Sequence, residues 1–410
     1  MQYILSRPAK HITGMIKLPS SKSISNRTLI INSLSYSPYD VQNLSDSDDT
    51  RVLQQILTSN SNIFDIGHAG TAMRFLTAFL SLIVGEWHIT GSERMKQRPI
   101  RVLVNALREL GAIIEYEGEE GFPPLKITGS HLKGKILELD GSISSQYISA
   151  LLMIAPTLEK GLTLRLKNKI ISRSYISLTL ELMRKYGIRY NWTGNEIRIE
   201  EQTYKPVPFT VESDWSGASY WYQMVALAEQ GELELTDLHQ DSLQGDRIIT
   251  EWFRLFGIES KTKENSILIR KERDICPGYL ELNFSENPDI AQTMAVLCVL
   301  KQVPFLFRGL ETLKIKETNR ILALQNELAK FGASISEPQN GELQWNGKFS
   351  LAKKNLPLIS TYHDHRMALA FAPAALYGEI AIEDPLVVTK SYPNYYEDLK
   401  KVGFIIKQQL

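Results

Sequence analysis

Cysteine is nearly missing from this chain: Cys276 and Cys298 are the only two in 410 residues. Two such thiols make neither a disulfide framework nor a metal-ligand spacing. A reduced, cytoplasmic setting is therefore expected, with both read as core residues rather than nucleophiles. Net charge is missing too, since 46 Lys and Arg balance 46 Asp and Glu. A nucleic-acid or anionic-membrane partner would require a basic face, so neither is expected, although a neutral total permits a local basic pocket. No stretch approaches the roughly 18 consecutive apolar residues that a membrane span needs, and Met1 to Lys17 carries no signal-peptide pattern. There is no Walker A sequence, no G-x-S-x-G elbow and no full dinucleotide fingerprint. His363 and His365 have no nearby Cys or carboxylate ladder to complete a metal site, so no metal is expected.

What is present is a repeat. A chain of this length exceeds one ordinary core and predicts two or three domains. A strand, a polar turn and an apolar helix recur in that order at Lys17–Leu34, Phe64–Leu80, Leu137–Ala155, Phe209–Ala228, Leu280–Leu300 and Ile359–Leu376. After the second instance the spacing is roughly 70 to 75 residues, an internal period. A second series interleaves with it: amphipathic helices stopped by Gly111, Gly187, Gly257, Gly332 and Gly403, each followed by an apolar strand. Glycine just past a helix is the usual left-handed cap. Asp48–Leu57 reads as a first member without its glycine. The spacing predicts an α/β protein of about six units, each with two helices and several short strands, in two lobes of three.

Polar residues crowd the starts of the apolar helices. Ser20-Ser21-Lys22-Ser23-Ile24-Ser25-Asn26-Arg27 places hydroxyls, a Lys and an Arg at one of them. A helix N-terminus has unpaired N–H groups and a positive dipole end, so such a turn suits a phosphate or carboxylate, or is a plain serine cap. Gly67-His68-Ala69-Gly70-Thr71, with Arg74 one turn on, is either a close-approach loop for an anion or a tight strand–helix turn. Ser142-Ile143-Ser144-Ser145-Gln146 offers hydroxyls and an amide, or a cap. Arg94, Lys96 and Arg98 precede Pro99, which is expected at a first helical position. Lys314, Lys316, Glu317 and Arg320 form a further cluster, with Glu317 and Arg320 expected on one helical face. His363-Asp364-His365-Arg366 and Lys390 add two more. Cations are electrostatically misplaced at helix N-termini, and the repetition points to a bound polyanion. Asp289 is either an N-cap or, among cations, an ionised base for a substrate hydroxyl.

Taken in order, SSKSISNR, GHAGTAMR, SERMKQRPI, SISSQY, SRSYI, NPDIAQT, KIKETNRI, DHRMA and TKSYPNY resemble the 5-enolpyruvylshikimate-3-phosphate synthase family nearly end to end. The resemblance implies two similar lobes, each of three βαβαββ units (the inside-out α/β barrel of enolpyruvyl transferases), with the active site in the interlobe cleft. It places residues 1–19 with 214–410 in one lobe and 20–213 in the other. The implied reaction moves the enolpyruvyl group of phosphoenolpyruvate to the 5-hydroxyl of shikimate 3-phosphate through a tetrahedral intermediate, releasing phosphate. It needs no cofactor, belongs to chorismate and aromatic amino acid biosynthesis, and is the target of glyphosate. By motif, Lys22, Ser23, Arg27, Ser144, Ser145, Gln146, Ser172, Tyr175, Asp289, Thr312 and Lys316 would contact shikimate 3-phosphate. Lys22, Gly70, Arg98, Gln146, Arg320, Arg366 and Lys390 would hold phosphoenolpyruvate. Asp289 would be the base for the hydroxyl, with Glu317 and Lys22 moving the proton at the methylene carbon. His68 and Phe75 stand where the family usually has Asn and Pro, and Thr312 where many members have Asn. Two rivals are a UDP-N-acetylglucosamine enolpyruvyl transferase, disfavoured because residues 85–99 lack its reactive Cys, and a non-catalytic phospho-metabolite sensor. A monomer is expected, since each lobe would have its own core.

Overall fold

Two kinds of segment alternate along the chain, and their hydrophobic patterns place them. Helices such as Trp215–Leu227 and Ala291–Leu300 are apolar on nearly every side, and almost every residue in them is buried. A helix of that kind is stable only inside a core. Strands such as Leu162–Lys167 and Gln230–Thr236 alternate buried and outward residues, so each sheet offers one face to those helices. The computed structural model, which describes residues 1–349 and 357–409, is built from this arrangement.

The chain forms two units: Met1–Pro19 with Glu212–Leu410 (the first unit), and Ser20–Val211 (the second). The return to the first unit falls at 211/212. Ser213 and Asp214 already belong there, because their N–H groups donate to the carbonyls of Asp237 (3.0 Å) and Pro19 (2.9 Å).

One sheet plan repeats. In the second unit, Ile63–Asp65 pairs parallel with Glu86–Thr90, which pairs antiparallel with Leu125–Thr128, which pairs antiparallel with Ile113–Tyr116. Ile136–Asp140, Leu162–Lys167, Glu196–Ile199 and Asn191–Thr193 follow the same order. Each is a βαβαββ unit whose final hairpin folds back beside its second strand. The remaining repeat, around the helices Lys22–Leu34 and Asp48–Leu57, has its sheet reduced to an isolated bridge between Gln42 and Thr210.

In the first unit, His11–Lys17 pairs parallel with Gln230–Thr236, so the whole second unit is inserted between the first strand of a repeat and its helix. Leu280–Asn283, Phe305–Arg308 and Leu343–Trp345 form a three-stranded version. In the last repeat the N-terminal strand Gln2–Ser6 lies between Ile380–Glu383 and Ile405–Gln409, antiparallel to both. The two ends of the chain thus share one sheet. The core beneath holds the fully buried Trp215, Trp221 and Trp345.

The helix-stopping glycines at 111, 187, 257, 332 and 403 all have positive φ, between 78° and 102°. Gly257 is tightly constrained: besides φ 78°, an added Cβ would collide with the carbonyl oxygen of Arg273. At Gly111 the nearest atom to such a Cβ is 3.8 Å away. Gly111→Ala is therefore expected to lower stability by roughly 1 kcal/mol, from backbone strain alone, and Gly257→Ala by at least about twice that. Thermal or urea unfolding of the two variants checks the order.

Candidate functional site

In the second unit the expected residues stand at the starts of four helices, Lys22–Leu34, Gly70–Leu80, Ser145–Ile154 and Arg173–Lys185. These helices pack on one another, and side chains link them near their first turns. Ser21 and Ser144 do act as caps, accepting from the N–H groups of Ile24 and Gln146 at 3.4 Å each. Ser145 opens the third helix, and Gln146 Nε2 donates to Thr71 Oγ1 at 3.1 Å, tying it to the second. Ser172 precedes the fourth in a left-handed conformation (φ 55°), buried and without capping its helix; its carbonyl accepts from Tyr175 N–H.

Arg27 is the centre of this group. It is 2% exposed. Nε donates to Thr179 Oγ1 (2.7 Å), Nη1 to the Ser23 carbonyl (2.9 Å) and Nη2 to Ser149 Oγ (3.1 Å). The rings of Phe75 and Tyr175 lie 5.4 and 5.9 Å from Cζ. A guanidinium has five N–H donors, so one remains on each terminal nitrogen, a pair that a carboxylate or phosphate edge can take. No carboxylate pairs with Arg27 among the described residues, and burial pushes its pKa down to about 10. A buried cation without a counter-ion is costly, which makes sense if an anion is its partner.

Arg98, half-buried, is likewise without a counter-ion among the described residues. Its Nε is buried without a partner, and among the described residues its guanidinium makes no hydrogen bond or ion pair. Gly70 faces it so closely that a Cβ there would overlap Nη1. The frame around this pair is Arg74, which donates to the carbonyls of Gly70 (3.0 Å) and Pro99 (3.5 Å), and Tyr147, whose hydroxyl also donates to Pro99. His68 bonds Ser92 Oγ at 2.8 Å and so ties the glycine loop to the turn leading to Arg98. Lys22 Nζ lies 3.9 Å from Asp49.

One expectation fails here. Pro99 is not the first helical residue, because the helix starts at Arg101 and the Ile100 N–H is already spent on the Gly121 carbonyl. Arg94 and Lys96 sit on the short helix Glu93–Lys96, where Lys96 pairs with Glu93 at 2.8 Å and Arg94 approaches Gln97.

The first unit holds the second cluster, around Arg320, which is also 2% exposed. Nε donates to Asp364 (2.7 Å), Nη1 to Asp289 (2.9 Å) and Nη2 to Glu317 (2.8 Å) and Asp364 (3.3 Å). Arg366 donates to Asp289 Oδ2 at 2.8 Å, and Lys316 Nζ lies 3.9 Å from Oδ1. Burial alone would raise the pKa of Asp289, but Arg366, Lys316 and Arg320 outweigh it and hold the carboxyl well below its usual range. Burial likewise lowers Lys316, against the pull of Asp289.

Asp289 is thus no helix cap: both oxygens are spent on cations. Glu317 meets Arg320 as expected, although it lies ahead of the helix, which begins at Arg320. The polyanion inferred for these cations is supplied in part by the protein's own carboxylates. Lys314 leaves the cluster to pair with Glu337 (2.7 Å), and Lys390 donates to the His363 carbonyl (2.7 Å). Thr312 sits on the turn Glu311–Ile315 with Oγ1 buried and unpartnered. Ser149 and Thr179 escaped the sequence reading as site residues, and Asp364 entered it only as a member of the 363–366 cluster, with no role of its own. Asp364 could have been suspected from its place beside Arg366, but a lone Ser or Thr inside an apolar helix gives no signal.

The model of EPSP synthase (3-phosphoshikimate 1-carboxyvinyltransferase) matches residues 6–59 and 51–399. The chain belongs to this family. It is 52% identical to the 3-phosphoshikimate 1-carboxyvinyltransferase of Bacteroides fragilis over 99% of both chains. It is 34% identical to that of Vibrio atlanticus, across 98% of this chain and all of the relative. The solved EPSP synthase of Acinetobacter baumannii superposes over 100% of both chains with a TM-score of 0.78 at 20% identity, which shows the shared fold.

The lone charge of Arg27 gives a direct test. Arg27→Met removes it while Ser149 and Thr179 still bond each other at 2.8 Å. The variant is expected to unfold no sooner than the parent, and to be more stable by about 1 kcal/mol, because a buried unpaired charge is gone. Added inorganic phosphate should raise the melting temperature of the parent and have less effect on the variant. Calorimetry with and without phosphate reads both.

Proposed function

We infer that this protein is a 3-phosphoshikimate 1-carboxyvinyltransferase. It transfers the enolpyruvyl group of phosphoenolpyruvate to the 5-hydroxyl of shikimate 3-phosphate, on the route to chorismate and the aromatic amino acids. The observation that carries the reading is that Asp289 and Glu317, the two acids the chemistry needs, are both present and both bound to Arg320. A phospho-metabolite sensor would have no use for that pair. The relatives named above carry the shikimate activity in their names, which favours it over the UDP-N-acetylglucosamine reaction.

The roles follow from the residues. In the second unit, Ser23, Arg27, Ser144, Ser145, Ser172 and Tyr175 are assigned to shikimate 3-phosphate, and Arg98 beside Gly70 to phosphoenolpyruvate, with Lys22 and Gln146 serving both. In the first unit, Lys316 and Thr312 are assigned to shikimate 3-phosphate, and Arg320, Arg366 and Lys390 to phosphoenolpyruvate. Asp289 removes the proton of the 5-hydroxyl as that oxygen attacks C2 of phosphoenolpyruvate. A proton added at C3 completes the tetrahedral intermediate. Loss of a C3 proton with departure of phosphate restores the double bond, with Glu317 and Lys22 in the proton roles. Fixed cations position two like-charged substrates and stabilise charge as it develops.

In the unliganded protein Asp289 is a weak base, because Arg320 and Arg366 occupy both of its oxygens. An anionic substrate that draws those donors away raises its proton affinity just when the hydroxyl is in place. A monomer acting in the cytoplasm completes the proposal; each unit carries its own helix-filled interior, and no helix among the described residues is long and apolar enough to cross a membrane.

Phosphate release measured with both substrates tests the assignment. Release is expected only when both are present, and its absence would overturn the reading. Asp289→Ala is expected to cut turnover by roughly 10²- to 10⁴-fold, with shikimate 3-phosphate affinity little changed; near-normal turnover would remove the residue from the mechanism. Glyphosate is expected to inhibit competitively against phosphoenolpyruvate. Gly70→Ala, whose Cβ displaces Arg98, should raise both the KM for phosphoenolpyruvate and the glyphosate concentration needed. A steady-state inhibition series on the parent and the variant decides this.

A further inference from the structure

Behind Asp289 lies a carboxylate that none of the assigned roles uses. Asp246, on the 3-10 turn Gly245–Ile248, is 5% exposed. One oxygen accepts from Asn287 Nδ2 at 3.1 Å and the other from Ser216 Oγ. No Lys or Arg pairs with it among the described residues. Asn287 is itself buried, and its carbonyl accepts from Ile290 N–H at 3.2 Å, closing the Asn287–Ile290 turn that carries Asp289. The segment holding Asp246 is fixed in turn: Gln244 Nε2 donates to Glu212 and to the Ser213 carbonyl, while its Oε1 accepts from Trp215 N–H. The charged groups acting on Asp246 are Asp289 and Arg366. Of the neighbouring ionisable groups, Arg247 turns away to the Gln240 carbonyl, Glu251 is exposed, and Tyr220 faces Arg366.

We propose that Asp246 is a positioning residue for Asp289: its ionised carboxylate anchors the Asn287–Ile290 turn and, as a second negative charge behind Asp289, raises that residue's affinity for the substrate proton. The proposal rests on Asp289 being the base. Three cations depress the basicity of Asp289, and a buried anion with no ion-pair partner of its own acts in the opposite sense. A carboxylate buried without a cation costs stability, so its presence needs a function to offset that cost. Burial first, and the charge of Asp289 second, push Asp246 up to about 6. Protonation leaves its hydrogen bonds possible, since a carboxylic acid can accept from Asn287 and donate to Ser216, but removes its charge. The charge is therefore lost within an accessible pH range while the turn stays anchored.

The linkage has a definite sign. The folded pKa lies above the unfolded one, so the protein loses stability as pH rises from about 4 to about 6, where the folded form gives up its extra proton. Asp246→Asn keeps both hydrogen bonds and has no charge to lose. It is expected to melt above the parent at pH 7.5, by a margin that narrows as pH falls from about 6 and closes only below about 4. Its kcat at pH 7.5 should fall about tenfold, the effect of one unit of basicity at Asp289, with both KM values little changed. The acidic limb of kcat near pH 6 in the parent should be absent from the variant. Asp246→Ala, which also releases Asn287, should lose more.

A variant Asp246→Asn with parental kcat and an unshifted acidic limb would overturn the proposal, the limb then belonging to substrate phosphates. A fall in kcat accompanied by lower melting at every pH would overturn it too, as a structural role only. Asp289→Ala in the same assay separates the two levels. Near-normal turnover there defeats the assignment of the base, whereas a dead Asp289→Ala beside a normal Asp246→Asn defeats only the role of Asp246.

Discussion

The guanidinium of Arg320 is the contact on which the chemistry of the first unit depends. It gathers Asp289, Glu317 and Asp364, three carboxylates from three distant stretches of chain, onto one buried cation. Such a cluster holds because each carboxylate finds a donor and the planar fork fixes their directions. Burial of Arg320 works against its charge, and Asp364, Glu317 and Asp289 more than restore it, raising its pKa above the ordinary value. Asp364, fully buried, also caps the following helix by accepting from Arg366 N–H at 2.9 Å, so one side chain sets both arginines that hold Asp289.

The second unit treats its cations differently. Arg27 is held by hydroxyls, a carbonyl and two aromatic rings, and Arg98 by packing against Gly70. Neither is neutralised. Fixed donors without a counter-ion bind an incoming anion with little reorganisation, and for the buried Arg27 at a cost to the stability of the empty protein. Under the proposed function the clusters divide two tasks: retained charge for capturing anions, and balanced charge for holding an acid in its ionised state.

Phe75 shows how a departure from the family pattern is absorbed. A proline at that place would remove a donor from the helix Gly70–Leu80; the phenylalanine instead lays its ring 5.4 Å from the charge of Arg27, a cation–π contact linking the glycine loop's helix to that arginine. His68 similarly replaces an amide with a ring that reaches Ser92.

Much of this was legible in the residues. The repeat, the helix stops at Gly111, Gly187, Gly257, Gly332 and Gly403, and the crowding of hydroxyls and cations at helix starts are local properties, set by periodicity, by the left-handed conformation glycine tolerates, and by the unpaired N–H groups of a first turn. The motifs carried the family with them. Long-range partnership was not legible: that Gln2–Ser6 closes the sheet of the last repeat, that Asp364 and Asp289 share Arg320, that Lys314 and Lys96 pair elsewhere, and that Asp246 lies behind Asn287. A charge in a sequence has no address until the chain folds. Which acid reaches it, and how much water is left around it, depends on packing between segments up to several hundred residues apart, and those two quantities decide whether an arginine waits for a ligand or is already satisfied.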